Sequence, residues 1–179
     1  MSIDILKKTI PDYAKDLRIN LGNVLDLEQA AGMTPQQLWG TALATAIASR
    51  NDAVIHAVAA AAAEHLDPAA LNAAKSAAAI MGMNNIYYRF VHMASNDEYA
   101  KMPAKLRMSV IGNPGIDKAD FELMSLAVSA INGCGMCVDS HEQILRNAGV
   151  SKEIIQHSVR IAAVVHAVAG VLATAEAAG

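Results

Sequence analysis

Aromatic residues make up only 4% of the 179-residue chain, and charged residues 17%, with a formal net charge of -3. A weakly acidic chain without a basic run lacks the electrostatic footprint of a nucleic-acid binder. No block of like charge marks a tail for a charged partner. Strand signals are nearly missing: there are 4 Tyr and 2 Phe, and no period-two alternation is sustained. A bilayer span needs about 20 consecutive apolar residues. The two best stretches are interrupted, 154–175 by Gln156, His157, Arg160 and His166, and 41–63 by Arg50-Asn51-Asp52. Both are expected to be buried helices of a soluble bundle, with no membrane association. Asp4, Lys7 and Lys8 break any apolar core of a secretion signal, so the expected compartment is the cytoplasm. Cysteine is scarce as well: Cys134 and Cys137 are the only two. Where structural disulfides are rare, such a pair points to redox chemistry or metal binding.

What is present is hydrophobic residue at 54%, much of it alanine. Alanine has the highest helix propensity and lets helices approach closely. The expectation is an all-α fold in one domain, residues 1–179. Helix starts are well marked. Thr34-Pro35-Gln36-Gln37 offers an N-cap, a first-turn proline and a capping-box glutamine. Asp67-Pro68 repeats that logic for a helix to about Met81. Asp117 caps a helix through Glu122 to about Ala130, and Asn132-Gly133 breaks the pattern. The next helix runs from about Cys134 to Arg146, with Gly149 placed to end it. Ser151 caps a last long helix. The irregular part is Ser95 to Gly115, with Pro103 and Pro114 and room for one short helix. Ala79-Ile80-Met81-Gly82 aligns with Ala130-Ile131-Asn132-Gly133, which reads either as a duplicated helical hairpin or as chance in an alanine-rich chain. On the first reading the second half, from about residue 116, carries the reactive groups. Alanine-rich helices bury little area each, so association into an oligomer would add stability.

The chemistry concentrates in Glu122, Cys134, Cys137 and His141. Sulfurs at i and i+3 begin a helix, where backbone N–H groups stabilise a thiolate. By that logic alone Cys134 is the more exposed and acidic thiol. His141, four residues after Cys137, shares its helix face and can accept the thiol proton. On a straight helix Glu122 would lie about 18 Å from Cys134 at ~1.5 Å per residue. If the chain reverses at Asn132-Gly133, Glu122 lies about 15 Å back from the turn and His141 about 12 Å beyond it, nearly level. A carboxylate there would orient the imidazole. Other readings remain open. Two Cys, His141 and Glu122 could bind zinc, although structural sites usually use four Cys or His ligands. The pair could serve general thiol–disulfide exchange or redox sensing, and Glu122 could be a solvated helix carboxylate. His56, His65, His92, His157 and His166 read as core or surface histidines, and the nine methionines as packing.

These residues carry a family resemblance. Asn113-Pro114-Gly115-Ile116, Phe121-Glu122-Leu123, Ser129 through Cys137, and His141-Glu142 closely resemble the alkyl hydroperoxidase D (AhpD) family. Glu28-Gln29 to Trp39-Gly40 and Ala79 to Asn85 look like other parts of the same proteins, so the resemblance covers most of the chain. The wider superfamily includes carboxymuconolactone decarboxylases, which lack the cysteine pair. The resemblance implies an all-α fold of two similar helical halves, assembled as a homotrimer or larger. It implies that Cys137 attacks the peroxide and passes through a sulfenic acid. Cys134 would resolve it and be exposed for exchange, and His141 and Glu122 would relay the proton. It further implies organic hydroperoxide as substrate, no bound cofactor, and an AhpC-type peroxiredoxin as partner. Electrons would come from dihydrolipoyl groups on a lipoyl-bearing protein. One departure stands out: well-known members have histidine between the cysteines, where this chain has Met136.

Overall fold

Side chains set the helix starts where the sequence marks them. In a computed structural model, which describes the backbone of residues 1–178 and side chains through residue 175, the first helices are α1 (Ile3–Thr9) and α2 (Lys15–Val24). The Thr34 hydroxyl accepts from Gln37 N–H at 3.1 Å while Gln37 Oε1 accepts from Thr34 N–H at 3.0 Å, a complete capping box that opens α3 (Pro35–Ser49). Arg50 leaves α3 in a left-handed conformation, and Asn51 caps α4 (Asp52–Ala62). The interruption read in 41–63 is thus a helix boundary. Asp67 accepts from Ala70 N–H at 2.8 Å and starts α5 (Pro68–Met93). That helix overruns its expected end near Met81 by three turns. Gly82 is its only weak point beyond Met81, and no proline follows until Pro103.

The irregular segment holds two short helices rather than one, α6 (Glu98–Lys101) and α7 (Ser109–Gly112). Asp117 caps α8 (Lys118–Ile131), α9 spans Gly135–Asn147, and Ser151 caps α10 (Lys152–Ala178). No strand occurs among the described residues, so the all-α expectation holds.

The core is built around α3, which packs against α4, α5, α8 and α10. Every residue of α3 from Leu38 to Ala46 is buried, as is every residue of α8 from Asp120 to Ser129. Such all-round burial suits small side chains. At Gly40 a Cβ would lie 2.2 Å from Met124 Cε, so glycine is what lets α3 and α8 approach there. Asp120 fixes the register of the two helices by accepting from Gln36 Nε2 at 2.7 Å and Gln37 Nε2 at 2.8 Å. Helix α10 has the length and apolar character of a membrane span, with mean hydropathy 1.7. It nevertheless packs on α2, α3 and α8, burying Ile161, Val165, Val168 and Leu172. His157 is a core residue on its inner face and donates through Nε2 to the Val24 carbonyl at 3.0 Å. His56, His65, His92 and His166 lie on the surface, and none of these five joins the cysteine pair.

Candidate active site

The turn between α8 and α9 places the chemistry. Gly133 sits at φ +66, the left-handed region open to glycine. Gly133 N–H donates to the Ala130 carbonyl at 3.2 Å, and Cys134 N–H reaches back to the Ser129 carbonyl at 3.2 Å. This pair of bonds is a Schellman motif. It ends α8 and turns the chain back on itself, as the Asn132-Gly133 break predicts. Cys134 caps α9 from outside its first turn: its carbonyl accepts from Val138 N–H at 2.9 Å.

The reversal brings Glu122 and His141 level. His141 Nδ1 and Glu122 Oε2 are 2.5 Å apart, and both side chains are buried. A carboxylate accepts, so Nδ1–H donates to it. That leaves Nε2 as the nitrogen for proton exchange. The solvated-carboxylate reading of Glu122 is thereby overturned: the residue is 0% exposed, and its second oxygen, Oε1, is buried without a hydrogen-bond partner.

Cys134 and Cys137 are joined as a disulfide, with Cα atoms 5.2 Å apart. Their exposures run opposite to the helix-terminus expectation. Cys134 is 0% exposed and Cys137 8%. The reason is the Schellman turn, which tucks residue 134 against the end of α8, whereas Cys137 lies one turn into α9. The exposure for exchange that the resemblance gives Cys134 is therefore absent from this conformation. A zinc set is not assembled either. Among the described residues no group of three or more His, Cys, Asp or Glu is placed to hold a metal, the sulfurs are bonded to each other, and His141 Nδ1 is engaged with Glu122.

Cys137, His141 and Glu122 open onto one pocket of about 270 Å3, and Cys134 is not part of its wall. Met81, Asn84 and Tyr88 supply a second wall at the i, i+3, i+7 spacing of one helix face. Met108 and Ile111 reach in from the segment around α7, and Met136 and Ile144 complete an apolar lining. Met136, at the position where the resemblance leads one to expect histidine, is exposed at the rim of this wall and offers no proton.

Sequence reasoning missed the latch that holds the turn in place. Asn85, fully buried on α5, donates through Nδ2 to Ser129 Oγ at 2.9 Å and accepts through Oδ1 from Asn132 Nδ2 at 2.9 Å. Arg89 Nη1 donates to the Asn132 carbonyl at 2.5 Å. Helix α5 thus satisfies polar groups at the end of α8, just before the redox pair. The only sequence cue was the polar pair Asn84-Asn85 within an apolar helix.

Residues 97–179, the part holding the cysteine pair, match the carboxymuconolactone decarboxylase family. Relatives named alkyl hydroperoxide reductase AhpD match almost end to end. The protein from Rhodospirillum centenum is 60% identical over 172 residues, covering 96% of this chain and 91% of the relative. That from Gluconacetobacter diazotrophicus is 60% identical over 179 residues, covering 100% and 97%. That from Streptomyces coelicolor is 59% identical over 177 residues, covering 99% and 97%. At that identity and coverage, the chain belongs to the AhpD family.

Proposed function

We propose that this protein is a thiol peroxidase that reduces alkyl hydroperoxides to alcohols through Cys137 and Cys134. The observation that carries this reading is the single pocket shared by Cys137 and the buried Glu122–His141 pair. Its apolar walls suit an alkyl group, and the same cavity is lined by Cys137, a thiol once the disulfide is reduced, and by the base His141. The printed name of the relatives, alkyl hydroperoxide reductase, supports the same activity.

In the reduced enzyme His141 takes the Cys137 proton, and Glu122 holds the imidazole in the correct tautomer. The thiolate attacks the terminal peroxide oxygen. An S–O bond forms, the O–O bond breaks, and the leaving alkoxide takes the proton from the imidazolium. Cys137 is now a sulfenic acid. Cys134 condenses with it, water leaves, and the Cys134–Cys137 disulfide remains. A dithiol restores the pair by two exchange steps. Cys134 is enclosed, so the dithiol attacks Cys137 first and Cys134 leaves as the thiolate.

Dihydrolipoyl groups on a carrier protein fit as the dithiol, since a slender arm can enter a pocket of this size. An AhpC-type peroxiredoxin is the expected second client, and the cytoplasm the expected compartment. A homotrimer or larger assembly would cover exposed apolar side chains such as Ile86, Phe90 and Met93 on α5. The deciding assay mixes protein, dihydrolipoamide and tert-butyl hydroperoxide. Catalytic, peroxide-dependent oxidation of the dithiol is expected. Rapid disulfide exchange without peroxide turnover would instead make the protein a general oxidoreductase or redox sensor.

A further inference from the structure

Two adjacent asparagines on α5 are used differently. Asn85 engages both ends of its amide in the latch to Ser129 and Asn132. Asn84 is also buried, 5% exposed, yet its Oδ1 has no hydrogen-bond partner. It lies on the pocket wall between Met81 and Tyr88, in the cavity that holds Cys137, His141 and Glu122. A buried unpaired amide is costly, and Met81, Met108, Ile111 and Ile144 of the same wall are apolar, while the Tyr88 hydroxyl is turned to Met108 Sδ. Packing would be served better by leucine or methionine.

We infer that Asn84 is a substrate-contacting residue that grips the O–O–H group of the hydroperoxide. This rests on the reading of the pocket as a hydroperoxide site. A carboxamide presents an acceptor and a donor side by side in one plane. The hydroperoxide presents the complement: its terminal O–H donates to the amide oxygen, and its inner oxygen accepts from the amide N–H. That grip fixes the terminal oxygen toward Cys137 Sγ. It also places a donor on the inner oxygen, where negative charge develops as the O–O bond breaks. The apolar walls then take the alkyl group. Glu122 and His141 carry the proton from the Cys137 thiol to the leaving alkoxide, and neither holds the O–O–H group before the O–O bond breaks. Asn84 positions the peroxide, and they move the proton.

That division sets the test. Asn84→Leu and Asn84→Ala variants are reduced, and their disulfide formation with tert-butyl hydroperoxide is followed in single turnovers. The second-order rate constant is expected to fall about 10- to 100-fold in both, the range for losing one or two well-placed hydrogen bonds. Alkylation of Cys137 by iodoacetamide, with its pH profile, is expected to stay within about twofold of wild type, because the nucleophile is untouched. Reduction of the disulfide by dithiothreitol is expected to be equally unaffected. Unchanged peroxide kinetics would overturn the proposal. So would a parallel loss of alkylation, which would make Asn84 a support for the thiolate or for the fold. A wild-type protein inert to the peroxide would sink the peroxidase reading itself, and the role of Asn84 with it.

Discussion

Two stretches of this chain begin alike and end differently. Ala79-Ile80-Met81-Gly82 and Ala130-Ile131-Asn132-Gly133 align residue for residue at three of four positions. The first runs straight through its glycine inside α5, and the second reverses at its glycine between α8 and α9. Glycine is therefore permissive here rather than decisive. After Gly82 come Met83-Asn84-Asn85-Ile86, none of which blocks a helix. After Gly133 comes Cys134 and a second glycine, each glycine disfavouring a helix by about 1 kcal/mol. Asn132 before them is the C-cap of α8 and is held there by Asn85 and Arg89. The straight stretch supports the broken one. The consequence is chemical: Cys137 and His141 stand on the reversed arm, and Asn84 and Asn85 on the straight arm facing it.

The largest test of this contrast is loss of the group that only the reversed arm carries. Cys137→Ser is expected to lower peroxide-dependent turnover at least ~10^3-fold, as loss of a nucleophile does, measured with dihydrolipoamide as donor. Glu122→Gln keeps the shape and a hydrogen bond to His141 but removes the carboxylate charge. It is expected to slow oxidation by peroxide about a hundredfold in stopped-flow single turnovers, with the folded helix content unchanged by circular dichroism. Cutting the latch comes next. Asn85→Ala strands Ser129 and the Asn132 amide and is expected to cost about 2 kcal/mol of stability, read as a lower urea midpoint. The smallest effects sharpen the contrast most, because one substitution should change sign between the aligned positions. Gly133→Ala puts a Cβ at φ +66 and is expected to destabilise by about 1–2 kcal/mol. Gly82→Ala sits in a continuous helix where an added Cβ meets nothing within 4 Å. It is expected to stabilise by about 0.5–1 kcal/mol.

That Cys134, Cys137, His141 and Glu122 come together was legible because the logic is local or nearly so. Cys134 and Cys137 announce themselves by spacing, His141 by helix periodicity, and Glu122 by equal distance from a visible break. The caps at Thr34, Asp67, Asp117 and Ser151 were legible for the same reason. The pocket was not. Its far wall comes from Met81, Asn84 and Tyr88, some fifty residues upstream, and from Met108 and Ile111 in an irregular segment. Nothing in those residue types separates a wall from a core. The relative exposure of the cysteines was misread because the helix-terminus argument treats residue 134 as the open end of α9. The Schellman turn makes the same residue the buried end of α8.

That inversion gives the central claim its sharpest form: the cysteine on the pocket wall, Cys137, meets the peroxide, and the enclosed one resolves. The most direct measurement reduces Cys134→Ser and Cys137→Ser proteins, adds stoichiometric tert-butyl hydroperoxide with dimedone, and locates the sulfenic acid by mass spectrometry. A stable adduct on Cys137 in the Cys134→Ser protein, with none on Cys134 in the other, is the predicted result. An adduct found only on Cys134, in the Cys137→Ser protein, would contradict the account.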